Sequence, residues 1–356
     1  MDHAGRRRRL ADRLEEIGAD GFLVSRLPNV RYLTGFTGSN GQVLLTDDAA
    51  VFFTDGRYTE QSAHEVAELD RRVYPTDLYS LLGEACSELS IGKLAFEASA
   101  VTVQTYGRLQ QLEKVELAPT TDEVERIRWI KDPSELDLIA RAQEVTDEAF
   151  ERVTAKLAEG MTERDVAWEL EVTMRESGAE GLGFVPIVAF GEQAAEPHHR
   201  PTDRPLRRGD VVKLDFGCTV EGYQSDMTRT VSFGEPPPEI REIHDLVARA
   251  HVAGVEAARA GAVGREVDRA ARAVISEAGR GDLFGHSLGH GVGLEVHEGP
   301  SLRKTSDDVL PEGAVVTVEP GVYLPGVGGV RIEDMVVVGH HGARPVPRST
   351  RELLVL

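Results

Sequence analysis

The chain of 356 residues carries 40 Lys and Arg against 60 Asp and Glu, a formal charge of −20, with 41% apolar and 28% charged residues. This composition suits one large or two ordinary globular domains rather than a disordered chain, and the acidity opposes nonspecific binding to nucleic acid or to an anionic membrane. Two cysteines, Cys86 and Cys218, lie far apart and outside any metal-ligand or redox spacing, which argues against a disulfide framework and suits a reducing cytoplasm.

No apolar segment follows the basic run at residues 6–9, so it reads as neither a signal peptide nor an anchor, and no stretch approaches the length of a membrane span. A helical start ends near Gly18. Strands are expected at "GFLVS", "QVLLT" and "VFFTD", helices near 58–66 and 78–89, and further strands at "KLAFE" and "VELAP". Residues 1–122 therefore read as a mixed α/β domain. Asp132, Pro133, Ser134 and Glu135 then spell an N-cap, a proline at the first helical position and an acid at the third, so a second domain is expected over 123–356. Leu136, Ile139, Ala140, Ala149, Phe150, Val153 and Leu157 form one apolar helical stripe. The order from there is two helices, strands, two helices, strands.

That order repeats in the residues. "EGMTERDVAWELEVTMRESG" matches "AGAVGREVDRAARAVISEAG", pairing Gly160 with Gly261, Arg164 with Arg265 and Glu176 with Glu277. Further on, "LRRGDVVKLDFG" matches "LPEGAVVTVEPG", and Asp215 falls on Glu319. Two matches at nearly one offset indicate an internal duplication of about 100 residues.

A lone aspartate in a run such as "VVKLDFG" is commonly a turn former, because an ionised carboxylate among apolar neighbours needs a cation, a donor or a solvated cleft. Its echo as Glu319 changes that reading. Each acid is followed by a second, Asp226 and Glu333, across turn-rich residues, so both segments read as β-hairpins with their two acids roughly opposite each other. If the duplicated halves face one another, four carboxylates converge, and multivalent cations are the plausible counter-charge. A fifth ligand is available in "GHSLGHGVGLEVHEGP", where His286, His290 and His297 sit among glycines that exclude a regular helix and with it a helical zinc motif. Four carboxylates and one imidazole make a hard, oxygen-rich set. It suits Mn2+, Co2+ or Mg2+ better than structural zinc; two divalent ions are expected, Mn2+ first, with Co2+ or Zn2+ as alternatives, and hydrolysis is the reaction class that follows.

At these residues the sequence resembles the pita-bread metallopeptidases, the family of aminopeptidase P, prolidase and methionine aminopeptidase. The resemblance spans nearly the whole chain, because the proline-directed branch also carries an N-terminal α/β domain. It implies an α/β (α+β) protein with an N-terminal mixed domain and an internally duplicated pita-bread domain of pseudo-two-fold symmetry. Asp215, Asp226, His290, Glu319 and Glu333 would be metal ligands, with Asp226 and Glu333 bridging. His198, His286 and His297 would contact substrate or stabilise the tetrahedral intermediate, Glu319 would move the proton, and Arg331 and Tyr323 would line the site.

Short peptides with proline second are the implied substrates, cleaved as by an Xaa-Pro aminopeptidase or, alternatively, a dipeptidase, in a homodimer. Phe184 is the expected apolar wall for the proline ring, and His199 is expected to be a solvated neighbour of His198. "YLTGFTGSNG" and "TDGRYTEQS" are similar to stretches of the same branch, and their glycines also read simply as turns. A metal-free binding module or creatinase-like hydrolase of the same fold is disfavoured by the intact acids. A two-metal phosphoesterase is disfavoured by the duplicated hairpins and the three further histidines.

Overall fold

The computed structural model describes residues 1–356 as two compact units, 1–128 and 129–356. In the first, a mixed six-stranded sheet has the spatial order Asp70–Tyr74, Ala50–Asp55, Gln42–Leu45, Gly21–Val24, Lys93–Glu97, Glu116–Thr120. Its first three strands in the chain pair antiparallel and its outer strands pair parallel, with helices Thr59–Glu65, Leu78–Glu88 and Val103–Leu109 as the crossovers. Leu23, Leu44, Phe53, Leu82, Leu94 and Phe96 pack one core.

The division falls beyond the expected boundary at 122, because helix Glu123–Arg128 is tied into the first unit by buried polar bonds. The Arg128 guanidinium donates to Asn29 Oδ1 (2.6 Å), and Asn29 Nδ2 donates to both Glu97 (2.5 Å) and Glu125 (2.8 Å). Such a network is stable only as a unit, since any member left alone would be a buried polar group without a partner.

The second unit repeats its own plan. Helices Pro133–Thr154 and Glu163–Glu176 lead to a three-stranded sheet of Ile187–Phe190, Asp210–Phe216 and Met227–Phe233, with Asp210–Phe216 in the middle. Helices Pro238–Ala257 and Gly264–Glu277 lead to a five-stranded sheet built around Val315–Val318 and Asp334–Gly339. Asp132 and Glu135 form a full capping box at the first helix, Thr162 and Asp165 another at the second. Each half has its own apolar cluster, one holding Val166, Leu170, Leu214 and Phe216, the other Val267, Ala271, Val316 and Val318.

Candidate metal centre

The hairpins place the acids at interruptions of their ladders. In the first half, Asp215 pairs with Thr228, so Asp226 stands diagonal to it rather than opposite, just before strand Met227–Phe233 begins. Gly217 makes the break possible: a Cβ there would lie 1.9 Å from the Ser225 carbonyl oxygen. The ladder resumes as Cys218–Val220 against Tyr223–Gln224, turning at Glu221 and Gly222, both with positive φ (47° and 82°), as the twist of a two-residue hairpin demands. Ser225, held by the Cys218 N–H (2.9 Å) and by Thr146 (2.6 Å), fixes the residue before Asp226.

In the second half Val318 pairs with Asp334, so Glu319 and Glu333 face each other where the backbone leaves one sheet and enters the separate hairpin Gly321–Leu324/Gly328–Arg331. The histidine loop closes the site by close backbone approach, since a Cβ on Gly289 or Gly291 would meet the Thr317 or Gly299 carbonyl at 2.0 Å.

Asp215, Asp226, His290, Glu319 and Glu333 converge on one cavity of about 290 Å³, which His198, His286, His297, Phe184 and Arg331 also line. Ligand atoms of Asp226, His290 and Glu333 lie within 4.8 Å of one another. Burial, then the neighbouring Glu333, Asp215 and Glu319 charges, push the Asp226 carboxyl well above its usual range, and burial with Glu333 does the same to Glu319. Glu333 is pushed up to about 7, by burial and by Asp215. These carboxylates repel one another. Arg331, ion-paired with Asp215, is the cation within the cluster.

Supporting bonds hold the oxygens in place. Thr228 donates to Glu333 Oε2 (2.6 Å) while accepting from Arg331 Nε (3.0 Å), and Thr317 donates to Glu319 Oε1 (3.3 Å) while accepting from the His290 N–H (3.1 Å). Behind Glu333, Arg229 donates to its carbonyl (2.6 Å) and to Asp334 (2.8 Å).

The imidazoles are sorted by their partners. His290 Nδ1 faces the Gly291 carbonyl at 3.1 Å and must carry the ring proton, because burial lowers this histidine to about 4 and keeps it neutral. Its bare Nε2 then points at Glu319 Oε1 (3.4 Å) and Asp226 Oδ2 (3.6 Å). Lone pairs so opposed require a proton or a cation between them.

His286, lowered to about 3 by burial and by Arg331, donates from Nδ1 to the Ser287 carbonyl and accepts at Nε2 from the Tyr323 hydroxyl, each at 2.8 Å. Both its nitrogens are therefore engaged within the protein. Tyr323 stands one layer behind the lining residues His286 and Arg331. Buried at the back, its hydroxyl is occupied by His286 and by Arg331 (3.0 Å). His297 packs against His290 with ring centroids 4.3 Å apart and planes tilted by 59°.

The expectation for His199 fails: it is buried, with Nε2 2.9 Å from Glu163 and Nδ1 2.8 Å from Glu196. His198, next in the chain, is the exposed one that lines the cavity. Two participants were missed in the sequence, Lys213 and Glu163. Glu163 is fully buried and accepts bonds from Phe190 N (2.8 Å), Thr202 N (2.8 Å) and Thr202 Oγ1 (2.7 Å).

Comparison with known proteins places this geometry. Residues 137–340 match Metallopeptidase family M24 and residues 6–130 the Creatinase/Prolidase N-terminal domain. The chain belongs to the M24 metallopeptidases, a family that implies divalent metal ions, and its C-terminal unit has their pita-bread fold. It is 40% identical over 342 residues to "Uncharacterized peptidase YqhT" of Bacillus subtilis, covering 96% of this chain and 97% of that protein.

Among solved structures it is similar to an Xaa-Pro dipeptidase from Bacillus anthracis (TM-score 0.96, 40% identity, 99% and 100% of the two chains). It is also similar to an X-Pro aminopeptidase from Thermotoga maritima (TM-score 0.91, 39% identity, 98% and 99%). No helix is long and apolar enough to cross a membrane.

Proposed function

We propose that this chain is a divalent-metal exopeptidase that hydrolyses the Xaa-Pro bond at the N-terminus of short peptides, Xaa-Pro dipeptides included. The observation that carries the metal is the neutral His290 Nε2 aimed at two buried carboxylates, in a donor set with no thiolate. Asp215, Asp226, His290, Glu319 and Glu333 would hold the ions. The oxygen-rich set favours Mn2+, then Co2+ or Zn2+. Bound there, the cations supply Lewis acidity and a water acidified toward neutrality.

The chain's own residues do the rest. His198 and His297, on the cavity wall, are placed to donate to a carbonyl oxygen as it gains charge. Glu319, on the cavity wall, can as a carboxylate accept a proton from water and return it to the leaving nitrogen. A prolyl nitrogen has no N–H to offer, so the pocket for the ring needs apolar walls rather than acceptors, and Phe184 and Ile187 provide them. Arg331 offsets the charge of Asp215.

The relatives' names, one a dipeptidase and one an X-Pro aminopeptidase, support the bond cleaved and both substrate lengths. Buried, free Cys86 and Cys218 suit a reducing cytoplasm. The test is a length series: metal-reconstituted protein on Xaa-Pro and on Xaa-Pro-Yaa peptides of increasing length. Cleavage before proline is expected in at least the shortest members, and cleavage of none, with metal bound, refutes the reading.

A further inference from the structure

The geometry points to Lys213 as a positioning residue that presents His198 to the cavity. This rests on the proposed role of His198 as a substrate donor. Lys213 is fully buried in strand Asp210–Phe216, where an apolar side chain would be the less costly choice. Its ammonium lies 3.1, 2.5 and 3.5 Å from the carbonyl oxygens of Ala194, Glu196 and Pro197, three acceptors for three N–H donors.

These carbonyls belong to the segment immediately before His198. Arg331 Nη1 adds a second bond to the Pro197 carbonyl (3.1 Å), and His199 is gripped by Glu163 on the far side. His198 thus stands between two anchored neighbours while its own ring is exposed. Residues two apart on a strand share a face, so Lys213 and Asp215 point the same way, and one strand fixes both the acid and the histidine loop. The Lys213 ammonium also sits 5.2 Å from the centre of the Tyr323 ring, which closes the space behind it.

The test is a double-mutant cycle on full-length, metal-loaded protein with an Xaa-Pro dipeptide. Lys213→Met is expected to lower kcat/KM on the order of 10- to 100-fold at unchanged metal content, the scale of a misplaced donor. In a His198→Ala background the same change is expected to cost less than about 3-fold, because the interaction it supports is already gone. Lys213→Gln, which keeps two N–H donors, is expected to recover part of the loss.

Equal losses in both backgrounds, metal lost in step with activity, no effect, or failure of both variants to fold would each overturn the assignment. Hydrogen exchange needs no substrate. Faster exchange confined to residues 192–199 is expected in the Lys213 variants, and exchange rising equally along 210–216, or nowhere, contradicts the clamp. Wild-type protein that cleaves no Xaa-Pro bond would refute the proposed function, while the exchange experiment would still decide the clamp.

Discussion

Metal removal is the perturbation whose magnitude follows most directly from the site. Without a cation, Glu333 is pushed up to about 7 by burial and by Asp215, against about 4.5 for an ordinary glutamate, so below pH 7 the folded, metal-free protein holds a proton that a cation must displace. Well below 7 each pH unit weakens the cation by about 1.4 kcal/mol per displaced proton, and the effect fades as pH nears 7, so the stability gap between metal-loaded and metal-free protein widens by about 2 kcal/mol from pH 5 to pH 7. Asp226 and Glu319 are raised in the same direction and add to the effect.

His286 and His290, held near 3 and 4 by burial, are neutral in both forms above pH 5, so their own contributions cancel in the difference. For a unit of this size the widening amounts to roughly 4–8 °C in Tm. Thermal unfolding of Mn2+-loaded and chelated protein at pH 5, 6, 7 and 8 measures it. The loaded protein should pull ahead as pH rises and level off above 7. A gap that is constant, or that shrinks with pH, would refute the electrostatic reading of the cluster.

Two substitutions probe the site's construction. His297→Ala should lower kcat by about 10²-fold with metal content retained, as for loss of one donor to a developing oxyanion, and unchanged kcat would remove His297 from the chemistry. Gly217→Ala puts a methyl group 1.9 Å from the Ser225 carbonyl oxygen and should destabilise the fold by about 1–3 kcal/mol while lowering metal affinity through displacement of Asp226; wild-type denaturant midpoint and affinity would show the ladder break to be dispensable.

The acids were legible in the sequence because they broke a rule twice: Asp215 and Glu319 each interrupt a run of buried β-branched residues at matching places in a duplication. The second acids followed from hairpin logic, although their register did not. The register runs unshifted through the break at Gly217, from Val220 opposite Tyr223 to Phe216 opposite Met227 and Asp215 opposite Thr228, and this sets Asp226 diagonal to Asp215. Lys213 was illegible for a plainer reason. A lysine in an alternating strand reads as solvent-facing, and only tertiary structure brings the carbonyls of residues 194, 196 and 197 to it.

His199 was misread because a histidine beside a histidine gives no sign of which neighbour turns inward. In the first unit, Leu27–Thr34 is a helix of only eight residues opened by a proline, too short for its periodicity to be seen. The boundary shift from 122 to 128 likewise came from Asn29 and Glu97, far away in sequence.

The most direct test of the central claim compares one dipeptide, Xaa-Pro, on three preparations: Mn2+-reconstituted protein, the same protein after chelation, and Asp226→Asn handled identically. Hydrolysis by the first, its loss on chelation and return with Mn2+, and its absence in a folded Asp226→Asn are the predicted results. Hydrolysis that survives chelation, or full activity in Asp226→Asn, would contradict the account.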